Sequence, residues 1–296
     1  MSKKIKDILI PKSLRNHFKI WRQTRRLGSK TLPTSLLGNI KPAWRERIDD
    51  VIACPDNAAI PRHPDAGRID GDMITMHNGI RIKALSYYDK RIMNMLVENK
   101  GVHEPQEERA FAVVLPLLPA APVSLEMGAY WSFYSLWLKT SHPGASCHMV
   151  EPELANMLSG QMNFAVNSYD GTFTNAYVGS KDLRPPGDTP TISVDGYCAD
   201  KNITHLHMLH SDIQGFESEM LDGARGMLSG QKVDHIFIST HSSEIHADCL
   251  QKLVGYGYLI LCSVDGPESY SGDGLIVACS PAIKPPPVIS VSKKGE

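Results

Sequence analysis

Short apolar runs alternate with amphipathic stretches in the second half of the chain. The runs predict strands at 123–126, 146–150, 173–178, 206–209, 233–239, 258–263 and 274–279, with a small extra strand at 192–194. The stretches predict helices at 131–139, 153–166, 218–229 and 245–254. Strands that alternate with helices pack as a mostly parallel sheet covered on both faces. The last two strands are consecutive and joined by a turn, so they predict an antiparallel edge.

The first 118 residues have a different pattern. Residues 73–76 and 80–85 flank Asn78-Gly79, a dipeptide typical of tight hairpin turns, and helical periodicity covers 87–98 and 104–118. We therefore predict four segments along the chain. They are a basic arm over 1–30, a helical lead-in with one hairpin over 31–118, an α/β domain over 119–282 and an irregular tail over 283–296.

The charges are unevenly distributed. The formal net charge is −1, yet the first 30 residues contain ten Lys and Arg residues against a single acid, Asp7. Such an arm, which also contains Trp21, is typical of a solvated or partner-docked extension, and it also suits an anionic membrane surface or RNA. We expect no specific nucleic-acid partner, and the pattern leaves the oligomeric state open.

The rest of the composition is that of an ordinary globular protein, with 42% hydrophobic and 21% charged residues. No apolar run approaches the roughly 20 residues that span a bilayer, and no secretory signal is evident. The six cysteines are scattered without a C-x-x-C pair, which favours reduced thiols. We therefore expect a cytoplasmic protein, with peripheral membrane contact through the basic arm as an alternative.

The segment 123–132 carries the clearest chemistry. Its strand ends in Glu126-Met127-Gly128-Ala129-Tyr130-Trp131-Ser132, and Gly128 allows a tight turn at the strand end, where ligands bind in open α/β sheets. Glu151 follows the next strand, at a position from which a carboxylate accepts both ribose hydroxyls. This arrangement indicates a nucleoside site, although an ordinary strand–helix turn looks similar.

The turn alone does not separate S-adenosylmethionine (SAM) from NAD. A pyrophosphate needs a glycine-rich turn with many donors, whereas SAM carries no phosphate and tolerates side chains. Tyr130 and Trp131 stand where further glycines would be expected for a dinucleotide. The turn therefore favours SAM.

Several segments, in order, resemble the FkbM-type methyltransferases. They are EMGAYWSFYS at 126–135, VEP at 150–152, SDIQGFE at 211–217 and LDGA at 221–224, preceded by HEP at 103–105, with Val194-Asp195 matching a further element. The likeness covers roughly residues 100–280. It implies a class I methyltransferase (Rossmann-like) fold with seven strands, SAM as cofactor and methylation of an oxygen on a sugar, polyketide or other small metabolite. The implied cofactor-binding residues are Glu126, Gly128, Ala129, Tyr130, Ser132, Glu151 and Asp212.

Two departures from the family pattern concern the site. Tyr130 replaces the family's asparagine and Ser132 its second glycine, so the turn is bulkier and a non-catalytic SAM-binding module is an alternative. His210-Ser211 stands where the family has Lys-Ile or a similar pair. Substrate contacts are expected from residues 60–105, 180–200 and 264–274, and the acceptor is expected to be a hydroxylated small molecule or glycan.

Methyl transfer to a hydroxyl requires alignment of the acceptor and removal of a proton. His210 and Asp212 follow the fourth main strand and His241 the fifth, so we expect these groups to converge. A neutral imidazole is a suitable base near neutral pH. The hypothesis is that His210 or His241 is the base and that Asp212 positions the substrate or the SAM amino group. The alternative is that these histidines only bond to backbone in loops.

The same histidines raise the alternative of a metal site. His205, His207, His210 and Asp212 suggest a metal-dependent hydrolase, while a divalent ion that acidifies a substrate hydroxyl is compatible with O-methylation. His205 and His207 share one face of a strand, whereas His210 and Asp212 lie past its end, so all four do not bind one ion. The set His210, Asp212 and His241 is the best candidate for such an ion. No G-x-S-x-G or P-loop motif is present.

Overall fold

The computed structural model describes residues 19–25, 28, 40, 42–87 and 90–295. The strands are β1 (Ile69–Asp70), β2 (Met73–Thr75), β3 (Arg81–Lys83), β4 (Val123–Met127), β5 (Ser146–Val150), β6 (Thr172–Thr174), β7 (Tyr177–Val178), β8 (Thr191–Ile192), β9 (Leu206–Ser211), β10 (Val233–Thr240), β11 (Leu259–Val264) and β12 (Gly274–Cys279). The α-helices are α1 (Pro42–Ala53), α2 (Lys90–Glu98), α3 (Pro105–Val114), α4 (Phe133–Ser141), α5 (Leu154–Val166), α6 (Val194–Asp200), α7 (Glu217–Asp222), α8 (Arg225–Ser229) and α9 (Ser243–Gly255).

A seven-stranded sheet forms the centre of the molecule, in the order β11-β12-β10-β9-β4-β5-β6. The strands from β10 to β6 pair in parallel, whereas β12 pairs antiparallel with both β10 and β11. The reversed strand thus lies one place inside the edge, within the antiparallel edge pair. This is the class I methyltransferase fold that the sequence predicts. The carboxyl ends of β4, β5, β9 and β10 meet on one side of the sheet.

Two predicted elements are divided in the structure. The strand predicted over 173–178 separates into β6, in the main sheet, and β7, which pairs with β8. Between them, the Asn175 side chain donates to the carbonyl oxygens of Glu151 and Pro152 at 2.9 and 2.8 Å, which turns the chain out of the main sheet.

The helix predicted over 218–229 separates into α7 and α8. The break follows Gly223, where a Cβ atom would lie 2.4 Å from the carbonyl oxygen of Gly179. Beyond it, the carboxylate of Asp195 accepts from the amides of Gly226 and Met227 at 2.6 and 2.9 Å and fixes the start of α8. The close approach of Gly223 to Gly179 and the Asp195 acceptor thus divide the helix, although its apolar pattern is continuous.

The lead-in packs against one face of the sheet and shares its core. Its predicted hairpin is present, with Met73 opposite Lys83 in the β2–β3 pair. Phe111 of α3 is fully buried, and its ring centroid lies 4.9 Å from that of Trp137 and 5.5 Å from that of Phe237. The other face is covered by α6 to α9. The lead-in therefore brings its own side chains to the sheet ends, where the site lies.

Residues 19–25 of the basic arm are helical and contact α5. Lys19 forms an ion pair with Glu153 at 2.5 Å, and the Gln23 side chain donates to the Ser159 hydroxyl at 2.7 Å. Most of the arm lies outside the described residues, and so does the predicted membrane or partner contact. Residues 283–295 of the tail contain no helix or strand.

The six cysteines all lie in the described part of the chain, where they are buried and unpaired. Among the helices of the described residues, none has the length and apolar character needed to cross a bilayer.

Candidate active site

The turn after β4 is held against the end of β9. Gly128 has φ +79°, and a Cβ atom there would lie 1.8 Å from the carbonyl oxygen of Asp212. The Asp212 amide donates to the Met127 carbonyl at 2.9 Å, which keeps the two strand ends in contact. Tyr130 also has a positive φ, +41°, in the region that L side chains rarely adopt. The turn is therefore a specific, tightly packed structure with room only for glycine at position 128.

Ser132 lies beneath the turn. It has φ +59°, it is fully buried, and its hydroxyl packs so closely on α5 that a Cβ atom on Gly160 would lie 2.3 Å from it. Ser132 lines neither of the two cavities described below. Neither cavity therefore supports contact between Ser132 and a cofactor, which stays a prediction. The Ser132 side chain packs between the turn and α5, where Gly160 leaves space for its hydroxyl.

Glu151 ties the turn to the start of α5. Its Oε2 accepts from the Tyr130 amide at 3.0 Å, and its Oε1 accepts from the Glu153 amide at 2.9 Å. Burial raises the pKa of Glu151. A carboxylate has about four lone-pair sites, so acceptor capacity remains for a ligand.

A cavity of about 890 Å³ opens above these residues. Gly128, Glu151 and Asp212 lie on its polar side. Its other walls are largely apolar and include Tyr177, Val178, Leu183, Ile213 and Phe216. This volume and this mixture of walls suit a ligand of nucleoside size or larger.

A second, small pocket of about 40 Å³ adjoins the large cavity. The two share Gly128, Tyr130, Asp212 and Gln214, so they meet where β4 and β9 end. Apart from Ala129, the rest of its lining is polar or aromatic and comes from the lead-in, from the strand ends and from the loop before β12: Arg47, Tyr87, His103, Glu104, Glu126, Trp131, Tyr134, His210, Ser239 and Asp273. A ligand in the large cavity can thus present one end to a separate polar pocket.

Glu126, at the end of β4, lines this small pocket and is 4% exposed. Its Oε2 accepts from the Ser135 amide at 3.1 Å, and burial raises its pKa. Ala129 lines the same pocket. Apart from Ser132, every predicted cofactor-binding residue therefore lines one of the two cavities.

His210 is held by a carboxylate from the lead-in. Its Nε2 lies 2.6 Å from Oε1 of Glu107, whose Oε2 accepts from the Ser239 hydroxyl at 2.8 Å. Burial opposes protonation of His210, but the attraction of Glu107 outweighs it and raises the pKa of the imidazole to about 9. A pKa above neutrality favours the imidazolium form of His210, and its role as a neutral base stays a prediction.

His241 and Asp212 converge as predicted. His241 Nε2 lies 3.3 Å from Asp212 and 3.6 Å from Asp273, and its Nδ1 lies 2.7 Å from Oε1 of Glu217. Burial opposes protonation, but hydrogen bonds to Asp212 and Glu217 outweigh it and raise the pKa of His241 to about 10. The raised pKa favours a protonated ring, whereas the Gln214 amide nitrogen, 2.8 Å from Nε2, suits an accepting one, so the neutral base stays a prediction here too. Both histidines are bonded to carboxylates rather than to loop backbone.

The residues that the sequence reasoning missed are acids: Glu104, Glu107, Glu217 and Asp273. Glu107 lies on the buried face of α3, inside an element whose apolar periodicity the sequence does show. Glu217 begins α7, and its carboxylate lies 2.7 Å from Nδ1 of His241. An acidic residue on the apolar face of a predicted helix is the one signal that points to Glu107.

The histidine run is divided between two ends of the sheet. His205 and His207 lie at the start of β9, about 20 Å along the strand direction from Asp212. Among the described residues, the group with ligand atoms in mutual reach is His205, His207 and Asp234. His207 Nδ1 accepts from the Val123 amide at 3.0 Å, which leaves the proton of the neutral ring on Nε2. The four-residue set of the metal-dependent hydrolase alternative is therefore not assembled.

The metal set of His210, Asp212 and His241 is not assembled either. Nε2 of His210 is bonded to Glu107, and His241 contacts Asp212 as a protonated ring, which offers no lone pair to an ion. Both ring nitrogens of His246 form hydrogen bonds, to the Thr240 hydroxyl at 2.8 Å and to the Ser263 hydroxyl at 2.9 Å, so His246 does not complete a metal site there.

No family model and no curated protein matches the chain. Among solved structures, it is similar to precorrin-6y C5,15-methyltransferase from Geobacter metallireducens, with 13% identity, a TM-score of 0.42 and coverage of 58% of this chain and 87% of that one. It is also similar to the ribosomal protein L11 methylase from Lactobacillus delbrueckii subsp. bulgaricus, with 13% identity, a TM-score of 0.41 and coverage of 59% and 79%. TrmK from M. capricolum, in complex with S-adenosyl-homocysteine, has 12% identity, a TM-score of 0.38 and coverage of 58% and 68%.

Proposed function

We propose that the chain is a SAM-dependent methyltransferase of the FkbM type, which transfers a methyl group to a hydroxyl of a small metabolite, sugar or glycan. One observation carries this proposal. Gly128, Glu151 and Asp212 surround a single cavity of nucleoside size, and that cavity opens onto a separate polar pocket at the strand ends. A cofactor site that meets an acceptor site is the arrangement that group transfer requires.

The residues present fit SAM. The glycine at position 128 lets the turn lie directly against the Asp212 backbone, and both residues line the large cavity. Glu151 would accept from the ribose hydroxyls, the apolar walls would hold the adenine ring, and Glu126 would bind the ammonium group. When bound, SAM supplies an electrophilic methyl group on a sulfonium centre.

The proton of the acceptor hydroxyl is best taken by Asp212. Its carboxylate lies on the shared wall of the two cavities, and the Gln214 side chain donates to its Oδ1 at 3.1 Å. His241 is already protonated and is held by Glu217, so it fixes Asp212 by charge and does not compete for the proton. His210 is likewise protonated and serves as a hydrogen-bond donor.

The binding of S-adenosylhomocysteine (SAH), measured by calorimetry, tests the cofactor site. We expect the wild-type protein to bind SAH and Glu151→Gln to bind it about tenfold or more weakly, because a hydrogen bond to a charged acceptor contributes about 1.5–3 kcal/mol. The control is Glu46→Gln, at an exposed position of α1 outside both cavities, which should change the affinity less than about threefold. Absence of SAH binding to the wild type would refute the proposed function.

Asp212→Asn separates proton transfer from cofactor binding. With isotopically labelled SAM and a metabolite extract of cells that carry the gene, we expect transfer to fall about 10²–10⁴-fold, the usual contribution of a general base. The affinity for SAH should change by less than about tenfold, since the amide keeps the shape of the side chain. If affinity falls as far as transfer does, Asp212 holds the cofactor amino group instead. Transfer at the wild-type rate would exclude both roles.

A further inference from the structure

The charges around the small pocket do not balance. Three imidazoles near it each contact a carboxylate that does not line it: His103 contacts Glu108 at 2.6 Å, His210 contacts Glu107 at 2.6 Å and His241 contacts Glu217 at 2.7 Å. His103 also lies 3.3 Å from Glu104, which does line the pocket, so these three imidazoles face four carboxylates. The raised pKa values of these histidines, between about 9 and about 10, make each pair an ion pair of no net charge at neutral pH. The charge of the pocket therefore depends on its other residues.

Those other residues are mainly acids. Glu104, Asp212 and Asp273 line the pocket, and the cation that lines it with them is Arg47, whose Nη2 lies 3.9 Å from Asp273. Burial raises the pKa of Asp273 to about 6, so this carboxylate is ionised at neutral pH despite its acidic neighbours. Glu126 is a fourth acid of the lining. The pocket thus carries an excess of negative charge in a partly desolvated place.

The cofactor neutralises only part of this excess. In the proposed function, Glu126 faces the cofactor ammonium and Asp212 faces the transferring methyl group. Glu104 and Asp273 then remain for the acceptor. Glu104 Oε2 accepts from the Tyr134 hydroxyl at 2.8 Å and lies 3.3 Å from His103, and Asp273 lies 3.6 Å from His241. A carboxylate has about four lone-pair sites, so both keep acceptor capacity. They come from separate elements, the start of α3 and the loop before β12, so they can reach an acceptor from two sides.

The aromatic residues and His210 in the lining of the small pocket suit a ligand that has both a cationic group and an oxygen atom. Tyr87 and Trp131 stack with centroids 4.3 Å apart, and Tyr130 lies 5.8 Å from Tyr87, so aromatic faces lie beside the carboxylates. His210 lines the pocket, is 4% exposed, and its Nδ1 has no hydrogen-bond partner within the described part of the chain. As an imidazolium, this ring has one donor left for an oxygen of the acceptor.

We propose that the small pocket is a cation site in which the methyl acceptor presents an ammonium group to Glu104 and Asp273. The acceptor is then a small polar molecule with an amine near the methylated hydroxyl, the class of amino sugars and amino alcohols. This inference rests on the proposed function and narrows its substrate class.

The charge of the labelled product tests the inference before the acceptor is identified. Products of transfer from labelled SAM to the metabolite extract are first separated from unreacted SAM, which is itself a cation, and are then passed over a cation exchanger at neutral pH. Retention of the label and its elution by salt are expected, whereas a labelled product in the flow-through would overturn the inference and leave methyl transfer intact. No transfer of label together with no SAH binding would instead refute the proposed function.

A second test needs no acceptor. Sinefungin is a SAM analogue with an amine in place of the S-methyl group, so its affinity relative to SAH reports the charge that faces the transferring methyl group. We expect a preference for sinefungin that Glu104→Gln and Asp273→Asn each reduce about tenfold while SAH affinity is kept. Asp170→Asn, at a fully exposed position, should leave the preference unchanged. An unchanged preference in both pocket variants would overturn the proposal.

Discussion

A Glu108→Gln variant is expected to unfold more easily than the wild type by about 3 kcal/mol, since removal of one partner leaves a buried charge without compensation. Glu108 is fully buried. Its carboxylate lies 2.6 Å from His103 and 2.8 Å from His77. Its Oε1 also accepts from the amides of His103 and Glu104, at 2.7 and 2.9 Å. One side chain thus stabilises the start of α3 and two imidazoles at once.

The destabilisation caused by Glu108→Gln should depend on pH. Burial disfavours a charged Glu108, but the attraction of His103 and His77 outweighs burial and lowers the pKa of the carboxyl. Glu108 therefore contributes its full stabilisation above pH 4.5, and this stabilisation is lost as the pH falls through the pKa of the folded protein. Burial disfavours a charged His103, but the attraction of Glu104 and Glu108 outweighs burial and raises the pKa of His103 to about 10. His103 therefore contributes its full stabilisation below pH 6.5, and this stabilisation is lost as the pH rises towards 10. The difference in stability should be largest between pH 4.5 and 6.5.

Urea unfolding followed by tryptophan fluorescence measures this difference at several pH values. Glu46→Gln, on the exposed face of α1, is the matched control and should change the free energy of unfolding by less than about 0.5 kcal/mol. If Glu108→Gln behaves like the control, or if its deficit grows between pH 6.5 and 10, the buried ion pairs do not contribute as described.

The sheet and the cofactor turn could be predicted because both have local signals. Apolar runs of strand length separated by amphipathic stretches fix the alternation of strands and helices, and this alternation brings the strand ends together. Glu126, Gly128 and Glu151 directly follow or end those runs, so their position at the carboxyl edge follows from the same pattern. Asp212 and His241 meet for the same reason.

The charge state of the histidines could not be predicted, because their partners are distant in sequence. His210 and Glu107 are separated by 103 residues, and Glu107 lies in a helix whose periodicity places Phe111 and Val114 in the core. The pattern gives no reason to bury an acid on that face. Only the packing of the lead-in against the sheet brings the carboxylate to the imidazole, and the carboxylate turns the expected base into a cation.

Ser132 shows a limit of reasoning from motif positions. Its place in the cofactor turn suggested contact with a ligand, and a local sequence does not reveal on which side of a turn a side chain lies. The left-handed backbone of Ser132 and the space provided by Gly160, 28 residues later, direct the hydroxyl away from the cavities. The bulk by which this turn departs from the FkbM pattern is therefore partly accommodated against α5.

Gly128→Ala is expected to reduce SAH affinity by on the order of 100-fold, because displacements of about 1 Å at a positioned site have effects of that size. The new Cβ would lie 1.8 Å from the Asp212 carbonyl oxygen and 2.7 Å from its carbonyl carbon, and both are backbone atoms that cannot rotate aside. The turn or the end of β9 must move. Either movement changes the place where the two cavities meet. Calorimetry with SAH measures the loss directly.

The chain offers a control that separates this contact from backbone strain. Gly187 has φ +74°, close to the +79° of Gly128, yet a Cβ atom there would meet nothing within 4 Å. Alanine at either position incurs the left-handed penalty of about 1–2 kcal/mol, so Gly187→Ala should lose that much stability to urea and Gly128→Ala, which also clashes with Asp212, at least as much. Only Gly128→Ala should also lose SAH affinity. If the two variants bind SAH equally well, the close approach of the turn to Asp212 does not shape the site, and the cofactor must bind elsewhere in the fold.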